Sequence, residues 1–215
     1  MSGKVNYQKE TEKVINGLEQ YGRKRLLLHS CCAPCSSYVL EYLSHYFDIT
    51  LFYYNPNISP ESEFKKRTEE LKRLAHEMPM DFPAHAIIGE YDPREFYEAV
   101  KGLENEPEGG KRCEVCFRLR LEKAAAFAAE EGFDYFTTTL TISPLKNAEV
   151  LNRVGYEAAE KYNTVWLPSD FKKKDGYKRS IELSAEYGLY RQNYCGCIYS
   201  KRASEPSDLR SDAEK

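Results

Sequence analysis

All seven cysteines of this 215-residue chain occur in three short clusters. They are Cys31, Cys32 and Cys35 in HSCCAPC, Cys113 and Cys116 in CEVC, and Cys195 and Cys197 in CGC. A C-x-x-C spacing lets one loop or one helical turn direct two thiolates at a single metal. Because no cysteine lies outside a cluster, the pattern predicts metal ligation rather than one redox pair or scattered buried thiols.

The thiols are numerous enough for two metal centres. Four of them form the two C-x-x-C pairs: Cys32, Cys35, Cys113 and Cys116. Four sulfurs suffice for a [4Fe-4S] cluster or an all-thiolate zinc site. Three others remain for a second metal: Cys31, Cys195 and Cys197. Neighbouring residues in an extended segment point in different directions, so Cys31 and Cys32 can serve two adjacent centres. Zinc stays an alternative, although it would leave three thiolates without a ligand role.

The charge balance excludes a general electrostatic attraction for nucleic acid. Lys and Arg number 31 against 34 Asp and Glu, giving a formal net charge of -3. Any RNA contact must therefore come from a local basic patch, such as KKK at 172–174. The run KKR at 65–67 has glutamates around it and instead predicts a salt-bridged helix surface.

The chain has neither the apolar core of a signal peptide nor an apolar run long enough to span a membrane. These features predict a cytoplasmic protein without a membrane partner. Structural disulfides are not expected in that reducing compartment.

The elements that must position the cysteines follow a strand-helix alternation. RLLLHS, DITLFYYNPN, FPAHAIIGEYD, FDYFTTTL and TVWLP read as strands, each followed by a helical pattern. This order predicts an α/β fold: a single domain with a mainly parallel, Rossmann-like (HUP-like) sheet flanked by helices. We assign residues 25–203 to this domain, 1–24 to an N-terminal helical extension and 204–215 to a flexible polar tail.

In such sheets ligands bind at the carboxyl ends of the strands, where HSCCAPC, YNPN and LTISP are expected. The metal site is therefore predicted at that edge. Candidate substrate-binding residues in or near it are Asn55, Asn57, Thr139, Ser143, Lys146 and Arg191. Tyr194, beside the CGC pair, is a candidate proton donor. Aromatic packing is the alternative for the tyrosine and turn formation the alternative for the asparagines.

Six motifs in order resemble the cobalamin-independent epoxyqueuosine reductase family (QueH type). They are HSCCAPC, YNPNISPESEFKKR, EGGKRCEVCFRLRL, FTTTLTISPLKN, SDFKKKDGYKRS and YRQNYCGCIYS. The resemblance implies an oxidoreductase that removes the epoxide oxygen of epoxyqueuosine in tRNA, the final step of queuosine biosynthesis. It also implies a [4Fe-4S] cluster beside a separately coordinated iron, and an external electron donor such as a ferredoxin or flavodoxin.

This resemblance agrees with the division of the thiols into four and three. We assign the cluster to the two C-x-x-C pairs: Cys32, Cys35, Cys113 and Cys116. A mononuclear iron on Cys31, Cys195 and Cys197 would keep an open position and act as a Lewis acid.

Two other functions are compatible with a thiol-rich chain of this length. One is a zinc-stabilised tRNA-binding module, and the other is an iron-sulfur electron-transfer protein similar to heterodisulfide reductase subunits. A nucleotide-activating enzyme is disfavoured, because HSCCAPC stands where such enzymes need a glycine-rich phosphate loop.

Overall fold

The apolar run RLLLH forms the central strand of a four-stranded sheet. The structure, a computed structural model, describes residues 5–18 and 22–204. Its strands are β1 Lys24–His29, β2 Phe47–Tyr53, β3 His85–Ile88 and β4 Tyr135–Thr138. They lie in the order β3-β2-β1-β4, and every pairing is parallel. The predicted α/β fold with a parallel sheet is confirmed.

Helices cover both faces of the sheet. They are α1 Tyr7–Leu18, α2 Ala33–Leu43, α3 Glu61–Glu77, α4 Pro93–Ala99, α5 Lys111–Glu130, α6 Ala148–Tyr162, α7 Gly176–Glu186 and α8 Ile198–Ser204, with a 3-10 turn at Thr139–Ile142. Alternate residues of β1 point to opposite faces. Leu26 and Leu28 belong to the apolar core that α2 and α3 cover, whereas Leu27 belongs to the core under α5 and α6. A central strand buried on both sides explains the uninterrupted apolar run.

The N-terminal helix packs on this body. Ile15 and Leu18 of α1 join the core on the α2 side, and the hydroxyl of Thr11 donates to the carbonyl of Pro168 over 2.7 Å. The predicted polar tail falls almost entirely on residues 205–215, outside the described residues. Within the part that is described, no helix combines the length and apolarity needed to cross a membrane.

One predicted strand differs from the structure. TVWLP forms only an isolated parallel bridge between Phe136 and Trp166. Helix α6 starts at Ala148, because Asn147 caps it by accepting from two backbone N–H groups. Residues 143–146 are thereby left in a loop at the carboxyl edge of the sheet.

Alanine substitutions at two helical glycines should change the free energy of unfolding in opposite directions. A Cβ on Gly155 would lie 2.4 Å from the Trp166 ring, whereas one on Gly17 would meet nothing within 4 Å. Gly155→Ala is expected to destabilise the protein by about 1–3 kcal/mol through overpacking. Gly17→Ala should stabilise it by up to about 1 kcal/mol, because alanine favours the helix. Equilibrium urea unfolding measures both, and shifts of the same sign would contradict the packing of α6 on Trp166.

Candidate metal centre

Each of the three cysteine clusters lies at the start of a helix. Cys32 is the N-cap residue of α2, Cys113 lies in the first turn of α5, and Cys197 immediately precedes α8. Free backbone N–H groups and the helix dipole favour negative charge at such positions. Two backbone N–H groups already reach sulfur. Gly109 N, in the loop before α5, lies 3.2 Å from Cys113 Sγ, and Ser200 N, in the first turn of α8, lies 3.4 Å from Cys197 Sγ.

The first cluster forms a compact triad at the end of β1. The sulfurs of Cys31, Cys32 and Cys35 all lie within 4.8 Å of one another, and those of Cys31 and Cys32 are 3.8 Å apart. Two thiolates bound about 2.3 Å from one tetrahedral metal would lie about 3.8 Å apart. The triad thus has the donor chemistry and the spacing of a thiolate metal site.

The triad shares one negative charge in the metal-free protein. Hydrogen bonds from Cys32, Cys35 and Thr139 and the nearby positive charge of Lys146 hold the pKa of Cys31 well below its ordinary value. Interaction with Cys31 raises the pKa of Cys32 to about 12, and it also raises that of Cys35. A metal that takes all three sulfurs must therefore displace two protons.

The other four cysteines surround a second, smaller cavity. Its lining includes Cys113, Cys116, Cys195, Cys197 and Arg120. Burial raises the pKa of Cys113, and it raises that of Cys116 to about 12. The bend at Gly196 has φ +125°, a region that favours glycine, and its carbonyl accepts from Ser59 N over 2.9 Å. This bond fixes the C-terminal pair to the loop after β2.

A larger cavity of about 300 Å³ opens beside the triad. Cys195 lines both cavities, so the two groups of thiols are adjacent. The predicted residues that line the larger cavity are Cys31, Cys32, Cys35, Cys195, Tyr194, Ser143, Lys146 and Arg191. Its volume is at the lower end of those that bind small molecules.

Three other predicted substrate residues lie elsewhere. Asn55 is fully buried, where its amide N donates to the Ser30 carbonyl over 2.9 Å and its oxygen accepts from Arg120 over 3.3 Å. Asn57 lines the smaller cavity. Thr139 contacts Cys31, because its hydroxyl lies 3.3 Å from the Cys31 N and 3.5 Å from the Cys31 sulfur.

His29 fixes the strand ends that carry the triad. Its ring nitrogens lie 2.8 Å from the Thr138 hydroxyl and 3.1 Å from the Tyr54 carbonyl. Burial, with the charge of Arg120 as a second cause, lowers the pKa of His29 to about 3. The neutral ring therefore links the ends of β1, β2 and β4, and both nitrogens are used within the protein.

Two arginines beside the thiols, Arg67 and Arg120, are buried although the sequence did not predict it. Arg67, which the KKR run placed on a surface, is 2% exposed, and it donates to Glu63 over 2.7 Å and to the Cys195 carbonyl over 3.1 Å. Arg120 is 1% exposed. A signal was present, since Arg67 follows Phe64 by three residues and Arg120 follows Phe117 by three, on the apolar helix faces.

Comparison with known proteins matches almost the whole chain. Residues 26–203 match the family model described as Epoxyqueuosine reductase QueH. A protein of that name from Staphylococcus epidermidis is 44% identical over 98% of this chain and 92% of the relative. One from Streptococcus pyogenes is 45% identical over 93% of this chain and 79% of the relative. One from Thermotoga maritima is 40% identical over 81% and 89%, respectively.

Because the negative charge of the triad lies mainly on Cys31, we expect an alkylating reagent to modify that cysteine first. In metal-free, reduced protein at neutral pH, iodoacetamide should modify Cys31 before Cys32 and Cys35, because the thiolate is the nucleophile. Thr139→Val should slow this reaction, since it removes a hydroxyl that lowers the pKa of Cys31. Fragment-ion mass spectrometry after partial alkylation identifies the modified sulfur.

Thr141→Val is the matched control, because the Thr141 hydroxyl contacts Ser169 at 3.0 Å. It should leave the alkylation rate unchanged. Equal modification of all three cysteines would contradict the placement of the charge on Cys31.

Proposed function

The chain belongs to the epoxyqueuosine reductase QueH family, and on that basis we propose that it reduces the epoxide of epoxyqueuosine in tRNA to give queuosine. This two-electron deoxygenation is the final step of tRNA queuosine biosynthesis. The observation that carries the proposal is the gathering of seven thiols around two adjacent cavities in a chain that matches the family over residues 26–203. The zinc-stabilised module and the electron-transfer protein are not favoured, because the relatives bear the name of an enzyme.

The thiols fit a [4Fe-4S] cluster and a second thiolate-bound iron, in number and in donor type. When bound, these groups supply electrons and a Lewis-acidic iron. The sequence assigned Cys32, Cys35, Cys113 and Cys116 to the cluster and the remaining three to the iron. The cavity linings favour another division, with the triad around one centre and the four thiols of the smaller cavity around the other. Among the described residues, the triad is the group whose sulfurs are already spaced to hold a metal ion. Both divisions use all seven sulfurs.

The larger cavity suits the substrate because thiols and polar side chains both line it. Removal of the epoxide oxygen as water consumes two electrons and two protons. Tyr194 lines the cavity and carries a phenol proton at neutral pH. Burial, followed by the charge of Glu63, raises its pKa, which makes the phenol a weaker acid than a free tyrosine. Leu140, Ile142 and Pro144 form an apolar wall that limits access of water.

Lys146 supplies a positive charge to the lining of this cavity. Burial would lower its pKa, but electrostatic interaction with the nearby cysteine sulfurs outweighs burial and raises it. The ammonium therefore stays charged, where it can orient an oxygen atom of the substrate. Ser143 and Arg191 line the same cavity and are the other groups available for this purpose.

In this proposal the modified nucleoside enters the larger cavity, whereas the rest of the tRNA and the electron donor bind outside both cavities. The exposed side chain of Leu145, 75% accessible, belongs to the lining of the larger cavity. Lys172 of the basic segment 172–174 donates to the carbonyl of Thr141, in the 3-10 turn that precedes the Leu145 loop, over 3.4 Å. In that segment Lys172 pairs with Asp170 over 2.5 Å, and Lys174 pairs with Glu12. Lys173 is thus the residue of the run that is most available to phosphate. A ferredoxin or flavodoxin as donor and a cytoplasmic location remain predictions.

Cys195 gives the sharpest test of the reaction, since it borders both cavities. Cys195→Ala should lower queuosine formation at least 100-fold. If Cys195 binds the mononuclear iron, most of the iron-sulfur absorbance should remain, whereas its loss would favour the division in which Cys195 is a cluster ligand. The assay uses anaerobically purified protein, a chemical reductant and tRNA bearing epoxyqueuosine, with nucleosides quantified by mass spectrometry. Iron and acid-labile sulfide are measured on the same samples.

Ser62→Ala, a change at an exposed position of α3, serves as the control and should keep wild-type turnover. Full turnover by Cys195→Ala would refute its role. A wild-type protein that holds zinc without sulfide would refute the proposed cofactor.

The basic segment generates a separate prediction. Replacing Lys172, Lys173 and Lys174 by Gln should weaken tRNA binding and reduce the slope of log K against log salt by about 1. Lys173→Gln alone should account for most of the change, because its two neighbours are already paired. Filter binding across a salt series provides the measurement. An unchanged slope in the triple variant would place the tRNA on another surface.

A further inference from the structure

Arg120 is a buried cation. None of the acidic side chains that the structure describes forms an ion pair with it. Its Nε donates to the Cys116 carbonyl over 3.2 Å, and its Nη1 donates to Asn55 Oδ1 over 3.3 Å. Its Nη2 has no hydrogen-bond partner. Buried charges in proteins are normally paired, because an unpaired charge loses its hydration without compensation.

The other two buried arginines near the thiols are satisfied differently. Arg67 has the carboxylate of Glu63 at 2.7 Å. Arg112 donates to the carbonyls of Leu103, at 3.3 Å, and Glu104, at 2.8 Å, and its guanidinium lies 4.4 Å from the centre of the Tyr199 ring. The Nη2 of Arg67 also lacks a hydrogen-bond partner, but the charge of Arg67 is paired with Glu63. Of these three arginines, Arg120 alone lacks both a carboxylate partner and a partner for its Nη2.

Thiols take the place of a carboxylate around Arg120. The residue lines the smaller cavity together with four cysteines: Cys113, Cys116, Cys195 and Cys197. Although burial opposes it, negative charge on Cys116, Cys195 and Cys31 would hold the pKa of the guanidinium above its ordinary value.

We propose that Arg120 is the counter-ion of the thiolate-bound metal centre in the smaller cavity, with its Nη2 donating to a sulfur of that centre, and that it sets the reduction potential of that centre. Arg120 is a positioning residue in this role, since it acts through the metal centre. The inference rests on the proposed function only in requiring a redox-active metal centre on these cysteines. Net charge and hydrogen bonds to sulfur are the terms by which a protein adjusts such a potential.

Arg120→Met tests the charge, and Arg120→Lys tests whether a cation alone suffices. In anaerobic redox titrations followed by electron paramagnetic resonance, Arg120→Met should make reduction at least tenfold less favourable. For a one-electron couple this corresponds to a potential about 59 mV lower. Arg120→Lys should restore more than half of the shift, because it keeps the positive charge.

Arg118→Met is the matched control on the same helix. Arg118 is partly exposed and pairs with Glu157 at 2.5 Å, so its loss should leave the potential at the wild-type value. An Arg120→Met potential equal to that of wild type would overturn the proposal, and so would a lysine variant shifted as far as the methionine variant.

Unfolding of the metal-free protein provides a readout that is independent of the metal. Because Arg120 has no acidic partner there, the urea midpoint of Arg120→Met should equal or exceed that of wild type. A midpoint below that of Arg118→Met would overturn the proposal by showing that the metal-free fold already stabilises the charge. If wild-type protein holds no iron-sulfur centre, the proposed cofactor fails, whereas normal wild-type loading with an unshifted variant defeats the Arg120 inference alone.

Discussion

The burial of negatively charged sulfur is the constraint on which the site depends. Thiolates lose much of their hydration in such a place, so the surrounding chain must provide positive charge or oriented N–H groups. Helices α2, α5 and α8 direct their N-termini at the three cysteine clusters. Arg67 and Arg120 add two cations from the interior, and Lys146 adds one from the cavity wall. An apolar pocket of the same shape could hold neither the thiolates nor the metals they bind.

The parallel sheet explains how distant segments meet this demand. β1 is paired with β2 on one side and with β4 on the other, so the chain leaving β1 enters the crevice where the strand order reverses. The triad occupies that crevice. The C-terminal cysteine pair lies 160 residues after Cys35 in the sequence. Two hydrogen bonds to its backbone carbonyls hold it here, one from Ser59 N to Gly196 and one from the Arg67 side chain to Cys195.

The local patterns in the sequence were enough to predict the sheet and the residues around the triad. Leu26, Leu27 and Leu28 form an uninterrupted apolar run, which is typical of a strand that is buried on both faces. HSCCAPC follows this run directly. The grouping of Cys195 with Cys113 and Cys116 was beyond such patterns, because it depends on how the last segment folds back. Whether a charged residue is buried also depends on tertiary packing, so Arg67 resembled an ordinary member of a salt-bridged helix. TVWLP has strand propensity, but only one of its residues finds a partner.

The two groups of thiols differ in how much protein surrounds them. The triad is attached to β1 and α2, whose residues belong to the large cores of the domain. Cys116 and Cys197 instead belong to a small cluster whose other buried members are Phe96 and Val100. So small an apolar cluster contributes little free energy of burial, and Arg120 adds an unpaired charge beside it. A metal centre on the second group would therefore act as part of the core that joins α4, α5 and α8. Its metal–sulfur bonds would replace missing apolar contacts, and its negative charge would supply the anion that Arg120 lacks. Such metal–sulfur bonds would then also hold the C-terminal segment in place.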